Sequence, residues 1–395
     1  MTSSRLALTS LLHQPGRTAV SVIGAAFAVV LVFMQLGFLG SVENTATLLY
    51  NKMRFDVLVA SSEYIDMSRP GGIDRARLAQ AQSADGVADV LPVTLGMGMW
   101  RNPTDDPHKG RRKWQLSMVA IDPGQLDRVF QPPGPNGIFD TPAEQAEMKA
   151  SLGRLDEVLL DELSRPDFGG TGMKPGTRTE LNGRAVTLGG YFRAGTGFSY
   201  TGLLLMNEET LRHVVNQRPN RVTFGLVQLH PGESAEAVKQ QLIRDLPPDV
   251  KVFTREDMRR YERDYWVNRT AVGQFFYFGV LLAITVGGIF IYQMMVADIK
   301  KHLSEYATLK AMGYRFGFLF RVVVWQALYL AVAGYVIGLV AAFGLYEVAK
   351  AAARLPIWMT GERTLIVLGL TVGMCVVSGV LAVRKVQNAD PADLF

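Results

Sequence analysis

Three histidines in the long polar middle of the chain, His108, His213 and His230, are the residues there best able to bind a metal or relay a proton. They are scattered, and neither H-E-x-x-H nor paired C-x-x-C spacing occurs. Asp105, Asp106 and His108 do cluster, but around Pro107 and just after Pro103, a setting that reads as a solvated loop. The glycine-rich stretch 189–202, GGYFRAGTGFSYTG, lacks the strand-turn-helix context of a phosphate cradle and reads as turns. Its aromatics Tyr191, Phe192, Phe198 and Tyr200 offer a second reading, contact with a lipid tail or a partner. No G-x-x-x-x-G-K-[ST] occurs, so the chain carries no P-loop. These residues assign no catalytic, cofactor-binding or metal-binding site. One segment does carry a specific interaction pattern: 298–315, DIKKHLSEYATLKAMGYR. Good helix formers run from Leu303 to Met312, and Leu303, Tyr306, Leu309 and either Lys310 or Met312 recur every three to four residues. Gly313 falls where a helix takes its C′ residue. The result is a short amphipathic helix that either docks on a partner or lies on lipid.

The elements that hold this loop are uncharged runs. Residues 18–42, 270–297, 322–346 and 364–383 contain no Asp, Glu, Lys or Arg. A helix of ~20 residues crosses a ~30 Å hydrocarbon core, and each run is long enough. The first exceeds the ~7–15 residues of a signal-peptide core, so it reads as an uncleaved anchor. Lys and Arg set the orientation. Arg5 and Arg17 precede the first run, Lys300, Lys301, Lys310 and Arg315 follow the second, and Arg384 and Lys385 follow the fourth. The 347–363 loop holds only Lys350, Arg354 and Arg363. This places both termini and the basic loop 298–321 in the cytoplasm, the tail being 384–395, and the domain 43–269 on the far side. The net charge of +5 is explained by lipid headgroups and requires no nucleic acid. Cys375 is the only cysteine, so no disulfide forms within the chain.

The spans lack ionisable residues, which argues against a proton or ion pathway through them. Gln35, Gln274, Gln293 and Gln326 are expected to hydrogen-bond between helices. Gly334, Gly338 and Ala342 put a small residue at every fourth position of the third span. This is a close-packing face, within the chain or between two chains. Residues 1–17 hold a leucine-rich stretch read as an interfacial helix, with Pro15-Gly16 breaking the chain before the first span.

In the inserted domain, 43–54 reads as a helical stalk. Strand-like 56–60, helical 73–83 and strand-like 87–93 form one βαβ-like unit. Strand-like 222–229, a helix over 234–246 capped by Ser234 and strand-like 250–253 form a second. Two such units predict a split ferredoxin-like core interrupted by a β-rich insertion over about 101–220. The charged run TREDMRRYERDYWVNR, with Thr254 as N-cap and Asp257 at capping-box distance, is expected to continue without a break into the second span. The fold class is thus an α-helical membrane protein with four transmembrane helices and an α+β domain between the first and second.

The basic loop resembles a known signature. Glu305-Tyr-Ala-Thr-Leu309-Lys310-Ala-Met312-Gly313 is similar to the E-I-G-x-L-[KR]-A-x-G motif of FtsX-like and MacB-like permeases, departing at Tyr306 and Ala307. Arg17-Thr18 and the tail Pro391-Ala-Asp-Leu394 are similar to the same family's first-span entry and C-terminus. Segments 158–169 and 188–200 resemble its DevC-type branch most. The resemblance implies a permease subunit with no catalytic residues, working with a separate ABC ATPase and pairing as a homodimer in the bacterial inner membrane. It also implies a membrane-fusion adaptor, an outer-membrane channel and lipid-like cargo. Leu303, Glu305, Tyr306, Leu309, Lys310, Met312 and Gly313 would then form the ATPase-coupling helix. The family also contains regulators that control an extracytoplasmic hydrolase, which stands as the alternative.

Overall fold

The computed structural model describes residues 3–13, 15–104, 112–215, 220–301, 316–353 and 356–387. The chain begins with α1 (Ser3–His13), α2 (Pro15–Ala46) and α3 (Leu48–Lys52). Next come β1 (Val57–Ser61), β2 (Ile73–Asp74), α4 (Arg75–Gln82), β3 (Val87–Arg101) and β4 (Lys113–Ile121). They are followed by α5 (Leu126–Val129), α6 (Pro142–Leu152), β5 (Glu157–Asp161), β6 (Arg178–Leu181), β7 (Arg184–Phe192) and β8 (Leu203–Asn207). Then come α7 (Glu208–Val215), β9 (Arg221–Val222), β10 (Phe224–Leu229), α8 (Ala235–Asp245), β11 (Val250–Thr254) and α9 (Arg255–Asp264). The last three helices are α10 (Ala271–Lys301), α11 (Phe316–Ala353) and α12 (Gly361–Gln387). The chain divides into a helical unit and an inserted domain, Val42–Thr270.

In the helical unit, α2, α10, α11 and α12 are long and apolar enough to cross a membrane. Pro15 opens α2 at a first-turn position, where a missing N–H leaves no hydrogen bond unmade. Ala25 and Ala28 of α2, Ile291 and Met295 of α10, Ala327 and Ala331 of α11, and Cys375 and Ala382 of α12 share one buried core. Leucines, valines and phenylalanines such as Phe278, Leu282, Val340 and Leu365 stay exposed on the outside, as hydrocarbon solvent permits. Apolar side chains gain nothing by leaving lipid, so small residues and close backbone approach hold such helices together.

The inserted domain contains a nine-stranded sheet, β11-β1-β10-β3-β4-β8-β5-β7-β6. Its first four strands are mutually antiparallel, with α4 linking β1 to β3 and α8 linking β10 to β11. This is the split ferredoxin-like order. Alternate residues of each strand serve opposite faces. Val57 and Val59 pack with Leu78, Val238 and Leu242 of α4 and α8. Leu58 and Ala60 pack on the other face with Tyr50, Tyr64, Phe224 and Met258. Both faces are therefore covered, and β1 is buried throughout.

β3 is longer than the strand expected over 87–93. It pairs with β10 up to Val93 and with β4 from Thr94 to Arg101. Gly96 and Gly98 dilute the β signal there, which hides the extension in the sequence. β3 also meets β6 at Trp100 and Leu181, so β3, β4, β8, β5, β7 and β6 close into a ring around a second core containing Trp100, Met118, Leu160 and Leu204. The helix expected over 73–83 starts at Arg75, because Ile73–Asp74 pairs with β9 and the Asp74 carboxylate caps Ala76 N.

The continuous helix expected from Thr254 into the second span is not observed. α9 ends in a π-helical turn over Tyr265–Arg269, and Thr270 is extended, with φ −96° and ψ 155°, before α10 begins. A π turn advances five residues per hydrogen bond. It thereby sets Val267 beneath Glu262 in the buried stripe that starts at Met258. Burying Val267 in the inserted domain takes the chain off the α-helical path.

Candidate functional site

The helix expected over Leu303–Gly313, with Glu305, Tyr306, Leu309, Lys310 and Met312, lies outside the described residues, as do Asp105, Asp106, His108 and the 391–394 tail. What is described are its two anchors, α10 up to Lys301 and α11 from Phe316. Further along α11, Gly334 and Gly338 face α2. A Cβ on Gly334 would lie 2.5 Å from Ala25 Cβ, and one on Gly338 2.6 Å from Val29 Cγ1, so both positions need glycine. Ala342 is 0% exposed. At the start of α11, Gln326 donates to Ser10 Oγ at 3.1 Å and the Tyr329 hydroxyl meets Ser4 Oγ at 2.8 Å. α1 is thus docked on α11 through its Ser4, Ala7 and Ser10 side, leaving Leu8 and Leu12 exposed. The other glutamines do not follow the expected pattern. Gln274 and Gln293 are exposed, and Gln35 Oε1 is buried with no hydrogen-bond partner among the described residues.

A site the sequence did not flag lies within the inserted domain, where the chain enters and leaves the ferredoxin-like sheet. β1 and β11 are neighbours, and Val57 stands opposite Thr254, so α3 delivers the chain and α9 removes it at the same end. Three side-chain ties bind the two helices and their connections. Arg255 donates to Met53 O at 2.6 Å and to Phe55 O at 3.1 Å. Arg259 donates to Asn51 Oδ1 at 2.9 Å. Glu262 accepts the hydroxyl of Tyr64, with the Tyr50 hydroxyl 3.3 Å away. α9 is fixed at its start by a capping box, Thr254 accepting from Asp257 N and Asp257 accepting from Thr254 N.

The electrostatics of this junction are unusual. Glu262 is 0% exposed. Burial pushes its carboxyl up to about 8, against the smaller opposing effect of the Tyr64 hydrogen bond, and the nearby Asp66 pushes the same way as burial. Burial also holds the Tyr50 and Tyr64 phenols well above their ordinary value, so both remain donors. The Trp266 indole is near enough to favour the ionised carboxylate, yet neither Glu262 Oε2 nor Trp266 Nε1 has a hydrogen-bond partner among the described residues. A second buried carboxyl, Asp161 at the end of β5, is pushed up to about 6 by burial, although Leu163, Ala194 and Gly195 each donate a backbone N–H to it. A clue to Glu262 was present in the sequence, since it stands four residues after Met258, on the apolar side of an otherwise charged helix. Among the described residues no group of three or more His, Cys, Asp or Glu could hold a metal ion.

A family model described as FtsX-like permease C-terminal matches residues 277–391. No curated protein matches the chain. Among solved structures, the periplasmic region of MacB from Actinobacillus actinomycetemcomitans is similar at 11% identity and a TM-score of 0.35, covering 54% of this chain and 94% of that one. The extracellular domain of the noncanonic ABC-type transporter YknZ from Gram-positive bacteria is similar at 12% identity and a TM-score of 0.34, covering 51% of this chain and 100% of that one.

Proposed function

We propose, from a chain that belongs to the FtsX-like permease family through residues 277–391, that it is the membrane subunit of an ATP-driven ABC exporter. It sits in the bacterial inner membrane with both termini cytoplasmic and 43–269 periplasmic. Two copies pair above a dimer of a separate ATPase, which supplies all the catalysis. Leu303–Gly313 forms the coupling helix, seated in the ATPase, with Glu305 paired to a basic side chain there. ATPase closure moves α10 and α11, and through them the inserted domain. That domain acts on lipid-like cargo together with a membrane-fusion adaptor and an outer-membrane channel.

The observation that carries this reading is the family match, which spans α11, most of α10 and α12, and the 302–315 segment between α10 and α11. Two further features support it. The spans offer no ionisable pathway for cargo, so work done in the inserted domain is the better use of the energy. The side-by-side entry and exit strands give that domain one mechanical base.

The test is reconstitution of the full chain with its partner ATPase in nanodiscs. Deleting Leu303–Gly313 should leave membrane insertion intact and return ATP hydrolysis to the level of the free ATPase. Glu305→Ala should weaken the pairing about tenfold or more, since one charge-assisted hydrogen bond is worth about 1.5–3 kcal/mol. Stimulated hydrolysis that survives the deletion overturns the coupling role. A bound cell-wall hydrolase in place of lipid and adaptor would turn the reading from export to regulation.

A further inference from the structure

We propose that Glu262 is a proton-operated latch in the inserted domain: protonated it holds α9 against α3, and ionised it lets the two helices part. The proposal stands on the geometry of the buried junction. Glu262 is fully buried on α9, at a point where no regular ladder ties α9 to α3. The groups that face it can be named element by element. α3 presents Tyr50. The segment after β1 presents Tyr64 and the buried Asp66, whose own charge is taken by Arg69 at 2.7 Å. β10 presents the Phe224 ring, packed on Tyr50 and Tyr64. Tyr200 lies beyond Tyr50, and Lys251 of β11 is occupied with Tyr64 O at 3.2 Å. On its own helix and the π turn stand Tyr261, Tyr265 and Trp266.

This environment suits a neutral carboxyl. Ionised, Glu262 would hold a charge on two phenols that also hydrogen-bond each other at 2.6 Å, with one oxygen unpartnered among the described residues and without solvent. Removing an ion from water without full compensation is costly, so the ionised form gains by opening to water. The direction follows from linkage. The closed carboxyl titrates at about 8, and an opened one reverts toward its ordinary 4.5. The contribution of Glu262 to closure is therefore complete below the lower value and is lost progressively as pH rises toward the upper one. Between the two, the open fraction rises by up to about tenfold per pH unit, then levels off. Asp161, at about 6, titrates lower and on a different strand, so the window from about 6.5 to 8 isolates Glu262.

The test is amide hydrogen exchange of the full chain in nanodiscs at pH 6.5 and 8, corrected for intrinsic exchange chemistry, with the β4 and β8 strands as internal controls. Peptides covering 48–55 and 255–269 should open about 10- to 30-fold more often at the higher pH, and Glu262→Gln should remove that dependence while keeping protection at both. Tyr64→Phe, which deletes only a hydroxyl, should raise the open fraction at both pH values. A wild-type profile flat across the window, or an equal rise in Glu262→Gln, overturns the latch. Should the glutamine variant fail to fold, the wild-type series alone separates a flat profile from a rising one.

Discussion

The guanidinium of Arg255 serves two carbonyls, Met53 O and Phe55 O, in the segment that leads into β1, and it lies 4.6 Å from the Phe55 ring centroid. Burial lowers its pKa, yet a guanidinium stays charged at any physiological pH, so both bonds are charge-assisted. Its backbone N–H adds a third tie, to Asp56 O at 3.1 Å. Removing the side chain takes the guanidinium donor from Phe55 O, leaves Met53 O with only the neutral Gln131 Nε2 at 3.2 Å, and exposes the Phe55 face. We expect Arg255→Ala to lower the stability of the inserted domain by about 2–4 kcal/mol, from two charge-assisted bonds and a cation–π contact. Lysine should recover less than half, because a single ammonium cannot reproduce the fork. Arg260→Ala, at an exposed position of the same helix, should stay within about 0.5 kcal/mol. Urea unfolding of the full chain in mild detergent, followed through the exchange protection of the domain's strands, measures all three.

At the scale of elements, α2 and α11 depend on backbone proximity that only glycine allows. The Cβ of any other residue at Gly338 meets Val29 and the carbonyl of Ala26, while one at Gly344 of the same helix meets nothing within 4 Å. Gly338→Ile should therefore cost about 1–3 kcal/mol or more through overpacking, and Gly344→Ala should be close to neutral. Thermal unfolding in detergent micelles compares the two, and equal melting temperatures would remove the packing role of the Gly334–Ala342 face. Much of this level was legible from residue patterns. Unbroken absence of charge marks the four spans. β-branched and aliphatic clustering marks β1, β10 and β11, and Thr254 with Asp257 marks the start of α9. Other features rest on tertiary demands that no local pattern states. The helix breaks at Thr270 although no proline or glycine stands between Thr254 and Thr270, because Val267 is buried. β3 runs through Gly96 and Gly98 because β4 pairs with it across both positions. Glu262 looks like one more charge in a charged run until Tyr50 and Tyr64, roughly two hundred residues earlier, close over it.

At the scale of the whole molecule, the inserted domain is joined to the helical unit by two chain segments that start from adjacent antiparallel strands. β1 and β11 are paired along their length, Val57 to Thr254 and Ser61 to Val250. A force arriving along either segment therefore enters the same pair of strands, and the domain responds as a body as long as that pair does not slide. The ferredoxin-like half makes sliding costly. β1 is buried on both faces, and a shift of one residue would turn Leu58 and Ala60 from the core they share with Phe224 toward the α4 and α8 side. α3 and α9 are instead tied only by side chains, so the proposed opening falls there rather than in the sheet. Cross-linking separates these possibilities. Val59 and Val252 are directly opposed, so their Cα atoms fall near 5 Å apart, within disulfide range. The resident Cys375 is buried in the helical unit and does not compete. If the proposed ATPase coupling holds, a Val59→Cys/Val252→Cys pair, oxidised in the reconstituted complex, should leave ATPase stimulation unchanged, since it links strands that are already paired along their length. Loss of stimulation on oxidation, restored by reductant, would mean that β1 and β11 shear during the cycle and that the moving joint lies inside the sheet rather than at α3 and α9.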